Sequence, residues 1–162
     1  MSIKEAIEVF KNLLEETKNK QETIVYEGFT IILNNLKNKE LTEKQLSRIE
    51  DEIGILNLKS NPENKKRYFS KKLTVFKLFL KKEFSLITEG YYTAIGLTIG
   101  MSLGMGFGLA IGSIIGIFGN SERLAMGIAL GSALGMGLGL TIGLLIGRNM
   151  DIVANNENRV LK

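Results

Sequence analysis

A glycine recurs at every fourth residue from Gly96 through Gly100, Gly104, Gly108 and Gly112 to Gly116, and the ladder resumes at Gly127, Gly131, Gly135, Gly139, Gly143 and Gly147. The two ladders superpose at an offset of 31 residues, with twelve of 21 positions identical across 96–116 and 127–147, the additional glycines Gly106 and Gly137 included. Such self-similarity is an internal tandem repeat. Residues 90–118 and 124–147 contain no charge and no proline and are mostly apolar. Each exceeds the roughly 20 residues that a helix needs to cross a hydrocarbon core of ~30 Å. In water each glycine costs a helix about 1 kcal/mol relative to alanine, so twelve in two helices argue against a soluble fold. In a bilayer the backbone must bond to itself, and glycine lets two helix backbones approach closely. The pattern predicts a transmembrane helical hairpin of the glycine-zipper type, with spans at about 91–118 and 124–147 joined by a turn at 119–123.

Between the glycine rows lies a second small row: Thr98, Ser102, Gly106 and Ala110 in the first limb, Ala129, Ala133, Gly137 and Thr141 in the second. Two residues on from a glycine is about 200° around a helix. Each helix is therefore small on two opposite faces, with bulky rows between. One small face suffices for the hairpin partner; the other is left for a neighbouring subunit, so a homo-oligomer is expected. A spacing of four drifts about 40° per step on a straight helix, so contact along the ladder calls for a right-handed crossing. Gly→Leu at Gly104 and Gly135 is expected to abolish the oligomer.

The preceding residues read as three to four helices, making the fold all-α: a cytosolic helical domain over 1–89, the hairpin over 90–148 and a polar cytosolic tail over 149–162, disordered towards its end. A helix over 2–19 opens on Ser2 and Glu5 as a capping box and carries the stripe Ile3, Ile7, Phe10, Leu14. A second over 22–37 carries Val25, Phe29, Ile32 and Leu36, widened by Ile24, Ile31 and Leu33; Gly28 and the β-branched residues leave a strand open there. A third over 42–58 has a capping box of Thr42 and Gln45 before Leu46, Ile49, Ile53 and Leu56. Asn61-Pro62 suits the start of a fourth, running to about 88 with the stripe Phe69, Leu73, Phe76, Leu80, Phe84, Ile87.

That fourth helix is strongly basic: residues 59–82 hold nine Lys/Arg against the one acid Glu63, within a chain of formal net charge +4. It suits the solvated last helix of a bundle, a helix on a membrane surface where each lysine gains about 1 kcal/mol from anionic lipid, or a site for nucleic acid or an anionic nucleotide signal. It shows no base-reading motif, and nucleic acid is not an expected partner. Lys77, Lys81 and Lys82, with Tyr91 and Tyr92 opening the first span and Arg148 closing the second, are the expected membrane-interface residues. Phe118 closes the first span. The positive-inside rule then puts both termini in the cytoplasm, with anionic headgroups and a cytosolic protein as candidate partners.

The chain has no cysteine and no histidine, which excludes disulfides, the usual zinc sites and Ser-His or Cys-His nucleophile systems. Glu50-Asp51-Glu52 points in three directions on a helix and reads as a solvated face rather than a metal site. Gly104-Met105-Gly106-Phe107-Gly108 lacks the Lys-Ser/Thr of a phosphate loop. A period of four also contains a period of two, so a β-zipper is the formal alternative; the length of the apolar runs disfavours it. The spans hold hydroxyls at Thr98, Ser102, Ser113, Ser132 and Thr141 but no charge, which disfavours a proton relay. No catalytic residue, cofactor or metal is expected, and the chain does not read as an enzyme. The opening Met1-Ser2-Ile3-Lys4-Glu5-Ala6 lacks the uninterrupted apolar run of a secretory signal, leaving membrane targeting to the hairpin.

From Gly90-Tyr91-Tyr92-Thr93-Ala94-Ile95-Gly96 through both ladders, about 90–150, the chain resembles small bacterial membrane proteins grouped as glycine-zipper proteins. The resemblance implies a bacterial inner-membrane location. Because some glycine-zipper segments belong to membrane-permeabilising toxins or defence effectors, it also implies an oligomeric channel or pore, here under the control of the cytosolic helices. A non-conducting anchor or scaffold that recruits a partner is the alternative.

Overall fold

The computed structural model describes residues 1–117 and 121–162. It is all-α apart from one short ladder: α1 (Ile3–Glu16), α2 (Lys20–Asn38), α3 (Glu43–Ile55), α4 (Lys65–Phe84), β1 (Ile87–Thr88), α5 (Tyr91–Ile117), α6 (Ser121–Asn156) and β2 (Val160–Leu161). The chain divides into two compact units, Met1–Thr88 with Arg159–Lys162, and Glu89–Asn158.

Helix boundaries in the first unit follow from side chains that satisfy the otherwise unpaired amides of a first turn. The Ser2 hydroxyl accepts from Glu5 N at 3.2 Å, and Thr42 and Gln45 form a complete capping box. Asn19 accepts from Gln21 N at 3.0 Å, which ends the link from α1 earlier than the expected 2–19 helix. At α4 the cap is Asn64, accepting from Arg67 N at 2.9 Å, and not Asn61. Nor does α4 reach residue 88. Ser85 stops it in the left-handed region (φ 56°), and Ile87 turns from helix stripe to strand.

The apolar stripes meet in one aromatic core. Phe10 stacks on Phe29 with centroids 4.3 Å apart, and Tyr26 meets Phe69 edge-on at 5.4 Å. Ile32, Leu33, Leu36, Ile49, Ile53, Leu56, Phe76 and Leu80 close the core. Residues 22–37 lie within a helix and not a strand; Ile24 and Ile31, expected to widen its stripe, are exposed instead. At Gly28 α2 packs closely on α4: a β-carbon there would lie 3.0 Å from Leu73 Cδ2. Gln21 meets Lys66, Gly28 meets Leu73 and Phe29 meets Phe76, so α2 and α4 run side by side in the same direction. Arg48 joins α3 to α4 through Glu83 at 2.7 Å.

The expected polar tail over 149–162 is ordered. α6 continues to Asn156, and Val160–Leu161 pairs in parallel with Ile87–Thr88. Ile87 N donates to Arg159 O at 2.9 Å, Lys162 N donates to Asn35 Oδ1 at 2.9 Å, and Leu161 is buried in the first unit's core. An apolar pair with backbone partners to meet forms a strand where composition alone suggests disorder. The first unit is thus built from both ends of the chain, and Glu89–Asn158 is inserted between two paired strands.

In the second unit α5 and α6 are each long and apolar enough to cross a membrane. Gly90, with φ 71°, precedes α5 and adopts a conformation that side chains resist. α6 already includes Ser121, Glu122 and Arg123, expected in the turn, while Phe118, Gly119 and Asn120 lie outside the described residues.

Candidate functional site

The glycine ladders bring the α5 and α6 backbones into direct contact. Gly96 faces Gly143, Gly100 faces Gly139, Gly104 faces Gly135, Gly108 faces Gly131 and Gly112 faces Gly127. A β-carbon on the α5 member of each pair would lie 2.1–2.2 Å from its partner's carbonyl oxygen, a separation that real side chains do not reach. At the ends, Gly116 packs on Leu124 and Gly147 on Tyr92 and Thr93, again at backbone distance. Backbones this close gain dispersion and Cα–H···O contacts, which glycine alone permits.

The central pair has a further property. Gly104 and Gly135 are equivalent positions of the two repeats, separated by the 31-residue offset. The pairs on either side exchange roles about them: Gly100·Gly139 is matched by Gly131·Gly108. The hairpin is an isologous pairing of one repeat with the other, an internal pseudo-dimer in the sense of a two-fold interface.

The other rows are not equivalent. Leu97, Leu109, Ile128, Met136 and Leu140, each one residue after a ladder glycine, are half-buried beside the seam, while Met101 and Met105 of the same row are exposed. Leu103, Phe107, Ile111, Leu130, Leu134 and Leu138 are exposed and wall an apolar groove of about 590 Å³ floored by ladder glycines. Sequence alone treats these two bulky rows alike. The second small row, Thr98, Ser102, Gly106, Ala110 and Ala129, Ala133, Gly137, Thr141, is exposed throughout, and β-carbons at Gly106 and Gly137 would meet nothing within 4 Å. Its hydroxyls bond within their own helices: Thr98 donates to Ala94 O at 2.9 Å, Ser102 to Thr98 O at 2.8 Å and Thr141 to Gly137 O at 2.9 Å. Ser113 and Ser132 do likewise, to Leu109 O at 2.7 Å and Ala129 O at 2.9 Å.

Asp151 escaped the sequence reading. Its two carboxylate oxygens accept from Tyr92 N at 3.0 Å and Thr93 N at 2.9 Å, so α6 caps the first turn of α5. The signal was present: Asp151 lies four residues past Gly147, on the ladder row itself. A carboxylate at a helix N-terminus is favoured by both the free amides and the helix dipole.

Among the expected interface residues, Tyr91 and Tyr92 are half-buried and pack edge-on at 5.3 Å, and Arg148 is exposed. Lys77 and Lys82 are exposed, while Lys81 is half-buried. In the first unit, an open cleft of about 370 Å³ is lined by Leu13, Glu16, Lys18, Glu22 and Lys65, with Tyr26 at its wall. The Tyr26 hydroxyl is buried and has no hydrogen-bond partner among the described residues. Burial, reinforced by Glu22 and Glu16, pushes its pKa up to about 12.

No protein-family model, curated protein or solved structure matches the chain.

Proposed function

We propose that the chain is an integral membrane protein whose hairpin spans the bilayer and self-associates through the second small faces. One observation carries this reading: the ladder glycines are used up within the hairpin, while the row through Gly106 and Gly137 keeps its small residues exposed with open space above them. Small rows at four-residue spacing bring helices together in lipid, where van der Waals contact replaces the hydrophobic effect as the driving force. A hairpin of two spans returns to the side from which it entered, so its two ends, and the helical domain joined to them, lie on one side of the bilayer. With the basic residues concentrated there, that side is the cytoplasm.

The assembly has two uses. In one, the hairpins enclose a channel governed by the helical domain. In the other, the oligomer is a non-conducting scaffold that displays that domain to a cytosolic partner. The hydroxyl bonding favours the scaffold: each exposed Thr and Ser of the small row already donates to its own helix, and the row carries no charge to hold an ion.

The chain has no native cysteine, so Ser102→Cys and Ala133→Cys report contact between copies directly. Disulfide-linked dimers at these positions, absent at Phe107→Cys, are expected on mild oxidation in the membrane. Cross-linking that is equal at all three sites, or at none, contradicts assembly through the small row. Conductance of the reconstituted oligomer separates the uses: currents support the channel, and an electrically silent oligomer the scaffold.

A further inference from the structure

The outer face of α4 is unlike a solvated helix face. Lys71, Val75, Leu78 and Lys82 follow one another at spacings of four, three and four, forming a single stripe opposite the buried Phe69, Phe76 and Leu80. Val75 is 50% exposed and Leu78 62% exposed. Two bulky apolar side chains thus stand in water between lysines, with Arg67 extending the basic end of the stripe. Within α4 the acid is Glu83, and it is drawn to Arg48 at 2.7 Å, off the stripe. The face therefore combines an apolar centre with flanking positive charge.

We infer that this stripe lies against an anionic bilayer surface, with Val75 and Leu78 entering the headgroup boundary and Lys71 and Lys82 beside lipid phosphates and carboxylates. Helices with lysine on their flanks and aliphatic residues at their centre bind interfaces in this way. The apolar centre selects lipid over nucleic acid, because a phosphate backbone rewards the lysines but leaves Leu78 in water. Chain connectivity supplies the proximity: six residues separate Phe84 from Tyr91, a reach of at most about 25 Å. The inference rests on the hairpin's being embedded in the membrane. It moves the interface from Lys77 and Lys81 to the Lys71–Lys82 stripe, which the boundaries of α4 define and the basic composition alone does not.

The test uses the full chain with single nitroxide labels at Leu78→Cys, at Ile111→Cys in the hairpin and at Glu8→Cys as an aqueous reference. The chain is placed in nanodiscs of phosphatidylcholine with or without phosphatidylserine. Depth is read as accessibility to oxygen relative to a water-soluble nickel complex. At position 78 the ratio is expected to rise several-fold over position 8 in the anionic discs. It should fall back in phosphatidylcholine alone, at high salt, and in a Lys71→Glu, Lys82→Glu background. An aqueous label at 78 in every disc, with the label at 111 in the hydrocarbon, overturns the inference and leaves the hairpin reading standing. An aqueous label at 111 overturns both. An aqueous label at 78 in a chain that binds a single-stranded oligonucleotide equally well with and without Leu78→Ser overturns the inference in favour of nucleic acid.

Discussion

Gly104 and Gly135, equivalent residues of the two repeats, face each other across the hairpin so closely that a β-carbon on either would lie 2.2 Å from the other's carbonyl oxygen. Two residues further on, Gly106 and Gly137 meet nothing within 4 Å. The same residue type in the same helix therefore has opposite tolerance to substitution. Gly104→Ala is expected to destabilise the hairpin by about 1–3 kcal/mol, because backbone and not a flexible side chain must move. Gly106→Ala costs the hairpin nothing and raises helix propensity. Thermal unfolding in detergent, followed by circular dichroism, checks this: G104A melts below the wild type and G106A does not. Equal melting of the two variants contradicts the seam.

Gly104→Leu with Gly135→Leu, the substitutions that sequence alone recommends for testing the oligomer, probe the hairpin instead. The matching test of assembly is Gly106→Leu with Gly137→Leu.

Asp151 holds the amides of Tyr92 and Thr93. Asp151→Ala removes a two-pronged cap worth about 1 kcal/mol. Hydrogen exchange at these two amides should accelerate roughly 5-fold, as that energy implies, with the ladder amides unchanged. Unaltered exchange at Tyr92 and Thr93 contradicts the cap.

Leu161 is 3% exposed and packs in the first unit's core. Leu161→Ala is expected to lower the stability of that unit by about 2–4 kcal/mol, seen as a lower urea midpoint. A chain ending in a loose polar tail would show no change.

Tyr26→Phe removes a buried hydroxyl that has no partner among the described residues, so at neutral pH the change is expected to be neutral or mildly stabilising. The pH dependence has a definite sign. The phenol's pKa is raised from 10.0 to about 12, so folding favours the neutral form. Its contribution is complete below the unfolded value of about 10 and is lost as pH rises through 12. Wild-type protein should lose stability across that window more steeply than Y26F in urea titrations; identical profiles contradict the buried phenol.

Local rules made much of this legible. Ser2 and Thr42 cap their helices as spacing predicts, because the cap and the amide it satisfies are three residues apart. The aromatic stripes reach one core because helical period alone decides their face. At α4 the local rule points to Asn61 before Pro62, but the helix starts three residues later, where Asn64 accepts from the Arg67 amide. The pairing of Ile87 with Val160 was not legible at all, since a two-residue parallel strand leaves no periodic trace and its partner lies across the whole insert. At the ladders, spacing identified the glycine row, but which bulky row closes the seam and which walls the groove depends on how two helices roll against each other. Asp151 lies in the same row, but a row defined by small residues does not include it.

The central claim is that the hairpins assemble, and the mass of the particle tests it most directly. Light scattering of the full chain in detergent and in nanodiscs should give one discrete multiple of the 17.9 kDa protomer, and Gly106→Leu with Gly137→Leu should reduce it to a helical monomer. A wild-type chain that is monomeric in both environments contradicts assembly through the second small face, and would leave that row without a role in association.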